Sequence, residues 1–209
     1  MRGRPRSGEQ EGRRAAVLDA ALAEVAERGY AGTTMLAVAR RAGASKETLY
    51  AWHGNKRGLF AALIRRQAEQ ADAEITAALE GGLPVREALT GFAASLLRLL
   101  LGPASIAINR AAISAPELAE VLLAEGRHTT GRRAAAYLGG LAERGELAVD
   151  DPEAAFQLLY GLVIADRQIR VLLGEPPPEN VEEIAENAVD RFLVLAAGGP
   201  GPARGQGPG

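Results

Sequence analysis

Glycine and proline cut this chain into lengths that suit helices and little else. Gly29, Gly43, Gly54, the run Gly81-Gly82-Leu83-Pro84, Gly102-Pro103, Ala115-Pro116, Gly126, Gly145, Asp151-Pro152 and Pro176-Pro177-Pro178 recur as stops. Between them, apolar residues return every three to four positions, the repeat of an amphipathic helix. Leu18, Leu22 and Val25 form such a stripe, as do Leu59, Phe60, Leu63 and Ile64. Alanine, leucine, glutamate and arginine dominate, while β-branched and aromatic residues are sparse. That balance favours helix over strand, so the expected fold is all-α.

The expected helices run over about 13–28, from a cap at Thr33 or Thr34 to Ala42, and over 46–53 and 56–80. Further helices are expected near 85–101, 103–114, 116–125, 127–145, 152–173 and 178–197. Gly29 suits the left-handed residue that ends the first of them. In the second, Leu36 or Val38 turns inward with Ala39 and Ala42. Residues 1–12 read as a disordered basic arm with Arg2, Arg4 and Arg6, and 198–209 as a disordered Gly/Pro tail.

Two short helices joined at Gly43 give the layout of a helix-turn-helix, whose second helix enters the major groove of DNA. Ser45 caps that second helix, and Leu49 is its inward anchor. Thr34, Ser45 and Lys56 stand at three helix starts, where free amides and the helix dipole favour phosphate. Lys46 and Glu47 are best placed to reach base edges, Lys toward guanine and Glu toward cytosine. Tyr50 offers a hydroxyl and Trp52 an indole N–H to the backbone. Arg40 and Arg41 read as a solvated face, and the arginine arm as a minor-groove tether.

Charge is distributed to match. Residues 1–70 hold 13 Lys/Arg against 7 Asp/Glu, and residues 71–209 hold 11 against 19. A basic head on an acidic body fits a DNA-binding module joined to a second functional part. No cysteine is present, which excludes disulfides and thiolate metal sites and suits a cytoplasmic protein. No signal peptide and no membrane span are expected. No phosphate-cradling glycine loop, Gly-x-Ser-x-Gly elbow or His-Glu-x-x-His motif occurs, so the chain reads as neither an enzyme nor a carrier of cofactor or metal. His53 and His128 fall in different expected domains.

At the head the pattern becomes specific. Gly29-Tyr30, Thr34, Val38-Ala39, Ala42-Gly43-Ala44-Ser45, Thr48-Leu49-Tyr50, Trp52-His53, Lys56 and Leu59-Phe60 follow one another in register. This resembles the DNA-binding domain of the TetR (tetracycline-repressor-type) transcriptional regulators. The departure is His53, where that family usually has Phe packed under the recognition helix; histidine there introduces a possible pH response. The resemblance implies a helix-turn-helix domain over 13–56 and a helical-bundle domain for ligand binding and dimerisation over 57–197, joined through helix 56–80.

It also implies Thr34, Ser45, Lys46, Glu47, Thr48, Tyr50, Trp52 and Lys56 as DNA contacts. The partners would be a palindromic double-stranded operator, a second copy of the chain and a small apolar or amphipathic effector. The last two long helices would pair with those of the partner, with Gly161 and Ala165 allowing close approach and Ile184, Ala188, Phe192 and Leu195 forming the stripe. Few polar residues look inward in the body. Ser105, Asn109, Tyr137, Gln157, Tyr160, Asp166 and Arg167 are the candidates to anchor an effector. The competing reading is a helical small-molecule-binding protein without specific DNA recognition.

Overall fold

The computed structural model describes residues 7–80, 82–124 and 128–197. The arginine arm at Arg2, Arg4 and Arg6 and the tail from 198 lie outside the described residues. The helices are α1 Ser7–Gly32, α2 Met35–Arg41, α3 Lys46–His53, α4 Lys56–Glu80, α5 Val85–Leu101 and α6 Pro103–Ser114. They continue as α7 Pro116–Leu122, α8 His128–Glu143, α9 Pro152–Ile164, α10 Arg167–Leu172 and α11 Val181–Ala197. No strand occurs among the described residues, and none of their helices is singly long and apolar enough to cross a membrane.

Most stops fall where the glycines and prolines put them. Gly29 takes φ 68°, a conformation that costs a residue with a Cβ. There Thr33 closes the end of α1, its hydroxyl donating to the Gly29 carbonyl at 2.8 Å. The chain departs from expectation at the front: residues 7–12, read as part of the arm, are helical and extend α1 by more than a turn.

A second departure is the helix expected over 152–173, which is broken in two. Ala165 sits at φ 45° between α9 and α10 although no glycine or proline is there. Side chains take up carbonyls around the break. Arg167 donates to Val163, while Arg110 donates to Val171 and Leu172 at 3.0 Å each and ends α10.

Two compact units result, one from residues up to 73, 99–130 and 168–177, the other from 74–98, 131–167 and 178 onward. The first unit holds the helix-turn-helix. Its core joins Val17, Ala21 and Val25 of α1 with Val38 of α2, Leu49 of α3 and Leu59, Phe60 and Leu63 of α4. That core does not stop at the boundary expected near residue 56. Ala107, Ile108, Ala111 and Ala112 of α6, with Ala115 and Leu118, belong to it. Alanines face alanines where α6 meets α1, which lets the two helices approach closely. Leu36, one of two candidates for the inward position on α2, faces solvent, while Val38 is fully buried.

An ion cluster fastens α2 to α1. Glu24 is only 3% exposed, and its carboxylate receives Arg41 at 3.0 Å and Arg28 at 3.3 Å. Arg41 also forks onto Glu27 at 2.7 and 2.8 Å, so it is a structural clamp and not a solvated charge. Arg41→Met leaves a buried carboxylate with only the half-exposed Arg28, which costs more than losing an exposed pair. The variant is expected to unfold at clearly lower urea than Arg40→Met, which removes an exposed arginine, and equal midpoints would contradict the clamp.

The second unit packs α5, α8, α9 and α11. Phe92 and Leu97 of α5, Leu138 and Leu141 of α8, Phe156, Leu159 and Val163 of α9 and Val189 of α11 are buried. Arg86 forks onto Asp190 at 2.8 and 2.9 Å, and Arg98 pairs with Glu182. These pairs join opposite ends of α5 and α11, which therefore run antiparallel. Glycines seat α8 on the start of α9: a Cβ at Gly131 would lie 3.0 Å from the Phe156 ring, and one at Gly139 would lie 3.3 Å from Pro152.

Candidate nucleic-acid interface

The recognition helix is set by its two ends and one anchor. Ser45 Oγ accepts the Thr48 amide at 3.1 Å and lies 2.9 Å from the Thr48 hydroxyl, which closes the N-terminus. Thr34 does the same for α2, accepting the Ala37 amide at 3.1 Å. Gly54 at φ 73° ends α3, and Asn55 then caps α4 by accepting the Gly58 amide at 2.9 Å. Leu49, with no exposed surface, fixes the rotation of α3. That rotation turns Ser45, Lys46, Glu47, Tyr50 and Ala51 outward as one stripe. Lys46 lies 5.5 Å from the centre of the Tyr50 ring. Glu47 is held below the usual carboxylate range, mainly by its own amide and then by Ser45, so it faces a ligand ionised.

Two expected contacts are placed differently. Trp52 is half-buried against the head core, with the Arg14 guanidinium 5.5 Å from its ring centre, so it is chiefly a packing residue. Lys56 turns inward. Its ammonium donates to the Tyr30 carbonyl, reaches Ala31 O at 3.5 Å and lies 4.1 Å from the Tyr30 ring centre. A cation there completes the carbonyl end of α1. The exposed cation at the start of α4 is its neighbour Arg57, which sequence reasoning passed over. Adjacent residues on a helix diverge by about 100°, and periodicity could have signalled it.

His53 is half-buried with its Nε2 unpartnered. Burial, and then Arg14, hold its pKa below the ordinary value. A depressed folded value means that the unfolded chain binds the proton first. Stability is therefore lost as pH falls below about 6.5, and the loss is complete below the folded value. His53→Phe is expected to flatten the pH dependence of the unfolding free energy just below about pH 6.5; an unchanged slope there would contradict this.

The expected effector residues are divided between the two units. Ser105 and Asn109 lie on α6 in the first unit, where Asn109 donates to Ser105 O at 2.8 Å. Tyr137, Gln157, Tyr160 and Asp166 lie in the second. Gln157 and Asp166 face solvent, while Tyr137 and Tyr160 are half-buried. Burial raises the pKa of the Tyr137 hydroxyl. Thr90 on α5, which the sequence did not single out, holds a buried hydroxyl without a partner.

The expected dimer stripe is split. Ala188 and Phe192 are sealed in the second unit's own core, at 4% and 0% exposure, while Ile184 is half-buried and Leu195 is exposed. The outward face carries Leu158, Gly161 and Ala165 of α9 and its end, with Val194 and Leu195 of α11. A shallow groove there is lined by Leu162, Asp190, Arg191, Val194 and Leu195. Among the described residues, no group of three acidic or histidine side chains is placed to hold a metal ion.

Comparison with known proteins decides the family. Residues 17–63 match the sequence model described as bacterial regulatory proteins of the tetR family. Residues 87–195 match the C-terminal domain of AefR-like transcriptional repressors. The chain belongs to the TetR family. Among solved structures, this TetR-family chain is similar to a TetR transcriptional regulator from Agrobacterium tumefaciens. The two are 36% identical with a TM-score of 0.72, over 88% of this chain and 93% of that one. It is also similar to the flavonoid-responsive regulator FrrA, at 31% identity and a TM-score of 0.68, over 88% and 97% of the two chains. The HTH-type transcriptional repressor SCO4008 of Streptomyces coelicolor is 39% identical over 57 residues. That match spans 27% of this chain and 30% of the repressor. As a TetR-family regulator, the chain has the helix-turn-helix and helical body that its sequence suggested.

Proposed function

We propose that this regulator is a cytoplasmic homodimeric repressor that releases a palindromic operator when a small apolar or amphipathic molecule binds its body. The observation that carries the reading is the outward stripe of α3, polar and charged, held in one rotation by Leu49. Two such helices in successive major grooves require recognition-helix centres about 35 Å apart, or a multiple of that. Lys46 and Glu47 would read bases, while Ser45, Thr48, Tyr50, Thr34 and Arg57 would hold phosphates. Tyr137 and the unpartnered Thr90 hydroxyl are the polar groups of the second unit best suited to an effector in otherwise apolar surroundings. FrrA, named as flavonoid-responsive, supports an effector of that general kind.

Lys46→Ala tests the base-reading role. Measured on a bound duplex and its single-base variants, it is expected to cost about 1–3 kcal/mol and to relax one base position in each half-site. Equal loss on every sequence would make Lys46 a phosphate contact and contradict the assignment.

A further inference from the structure

Two adjacent cations open α4, and α7 meets one of them. Lys56 rests on the carbonyl and ring of Tyr30. Tyr30 stands edge-on to Phe60 with ring centres 4.9 Å apart; burial and then the Glu117 carboxylate raise the pKa of its hydroxyl. Arg57 turns outward to Glu120 at 3.8 Å. Glu117 and Glu120 are three residues apart and share a face of α7. Between them Leu118 is buried in the core that also holds Leu49 and Phe60. The acidic face of α7 is thereby fixed against the basic start of α4, one turn of chain from the end of the recognition helix.

We propose that α7 restrains the grip on DNA, Glu120 by holding Arg57, so that phosphate must compete with that carboxylate. The proposal rests on the DNA-binding reading. It makes the strength of DNA binding depend on α7, a helix outside the helix-turn-helix. Any displacement of α7 frees or tightens Arg57 without touching α3, which changes affinity while leaving base preference alone. Because Glu120 is 82% exposed, replacing it tests the contact without unfolding the head.

The test is a titration of full-length variants against a random-sequence duplex and a selected operator, over a salt series. Glu120→Gln is expected to raise affinity for both duplexes about two- to fivefold, the worth of one exposed ion pair. It is also expected to steepen the dependence of log K on log salt by about one. In an Arg57→Ala background the same substitution is expected to do neither. A gain from Glu120→Gln that persists without Arg57 would reduce the effect to general charge and overturn the proposal, as would no gain at all. If the unmodified chain binds neither duplex, the DNA-binding reading falls and takes the proposal with it. Binding with strictly additive variants overturns the proposal alone.

Discussion

Leu49→Ala is expected to destabilise the head by about 2–5 kcal/mol and to abolish specific DNA binding. Leu49 is the fully buried side chain of an eight-residue helix. A helix this short has no stability of its own, so packing holds it and sets its rotation. Removing three carbons at that point opens a cavity in the core that also holds Val38, Leu59 and Leu63 and frees the outward stripe to turn. The single tryptophan of the chain, Trp52, lies on the same helix, so its fluorescence reports α3 directly in urea titrations. An unfolding midpoint and a DNA affinity both close to those of the unmodified chain would show that Leu49 is not the anchor.

Replacing Leu158 and Val194 together with glutamate is expected to leave monomers. Both side chains are exposed, Val194 at 72%, and both stand on the outward face of the α9–α11 pair. Exposed apolar surface in one patch marks an interaction site. The two charges would be buried unpaired in a dimer yet rest in water in a monomer, so folding is spared. Loss of the second head removes an intramolecular binding event, and operator affinity should fall about 10²–10⁴-fold. Sedimentation of the variant as an unchanged dimer would place the interface elsewhere. The same charges on Ala188 and Phe192, the two buried members of the stripe read from sequence, would unfold the unit.

Local signals in the sequence carried the elements. Thr34 and Ser45 cap the helices they were expected to cap, Gly29 and Gly54 end the helices before them, and α4, α5 and α6 have the bounds their stops imply. Caps and stops depend on one or two neighbouring residues, which is why they are readable. What failed depends on distant partners. Periodicity shows that α11 has an apolar stripe, not whether its own chain or a second copy covers it. Lys56 has the chemistry of a phosphate contact, but the open carbonyls at the end of α1 recruit it. The break at Ala165 carries no glycine or proline to mark it in the sequence. The sharing of one core by the helix-turn-helix, α6 and α7 was equally invisible, because alanine stripes fit any close neighbour.

The central claim is that the α3 stripe reads a defined DNA sequence, and selection of bound duplexes from a random pool tests it most directly. The prediction is enrichment of one roughly palindromic site with two protomers per duplex. That site should be bound at least about a thousandfold more tightly than the pool at physiological salt. Binding that stays equal for all sequences across a salt series, with no site enriched, would contradict the claim.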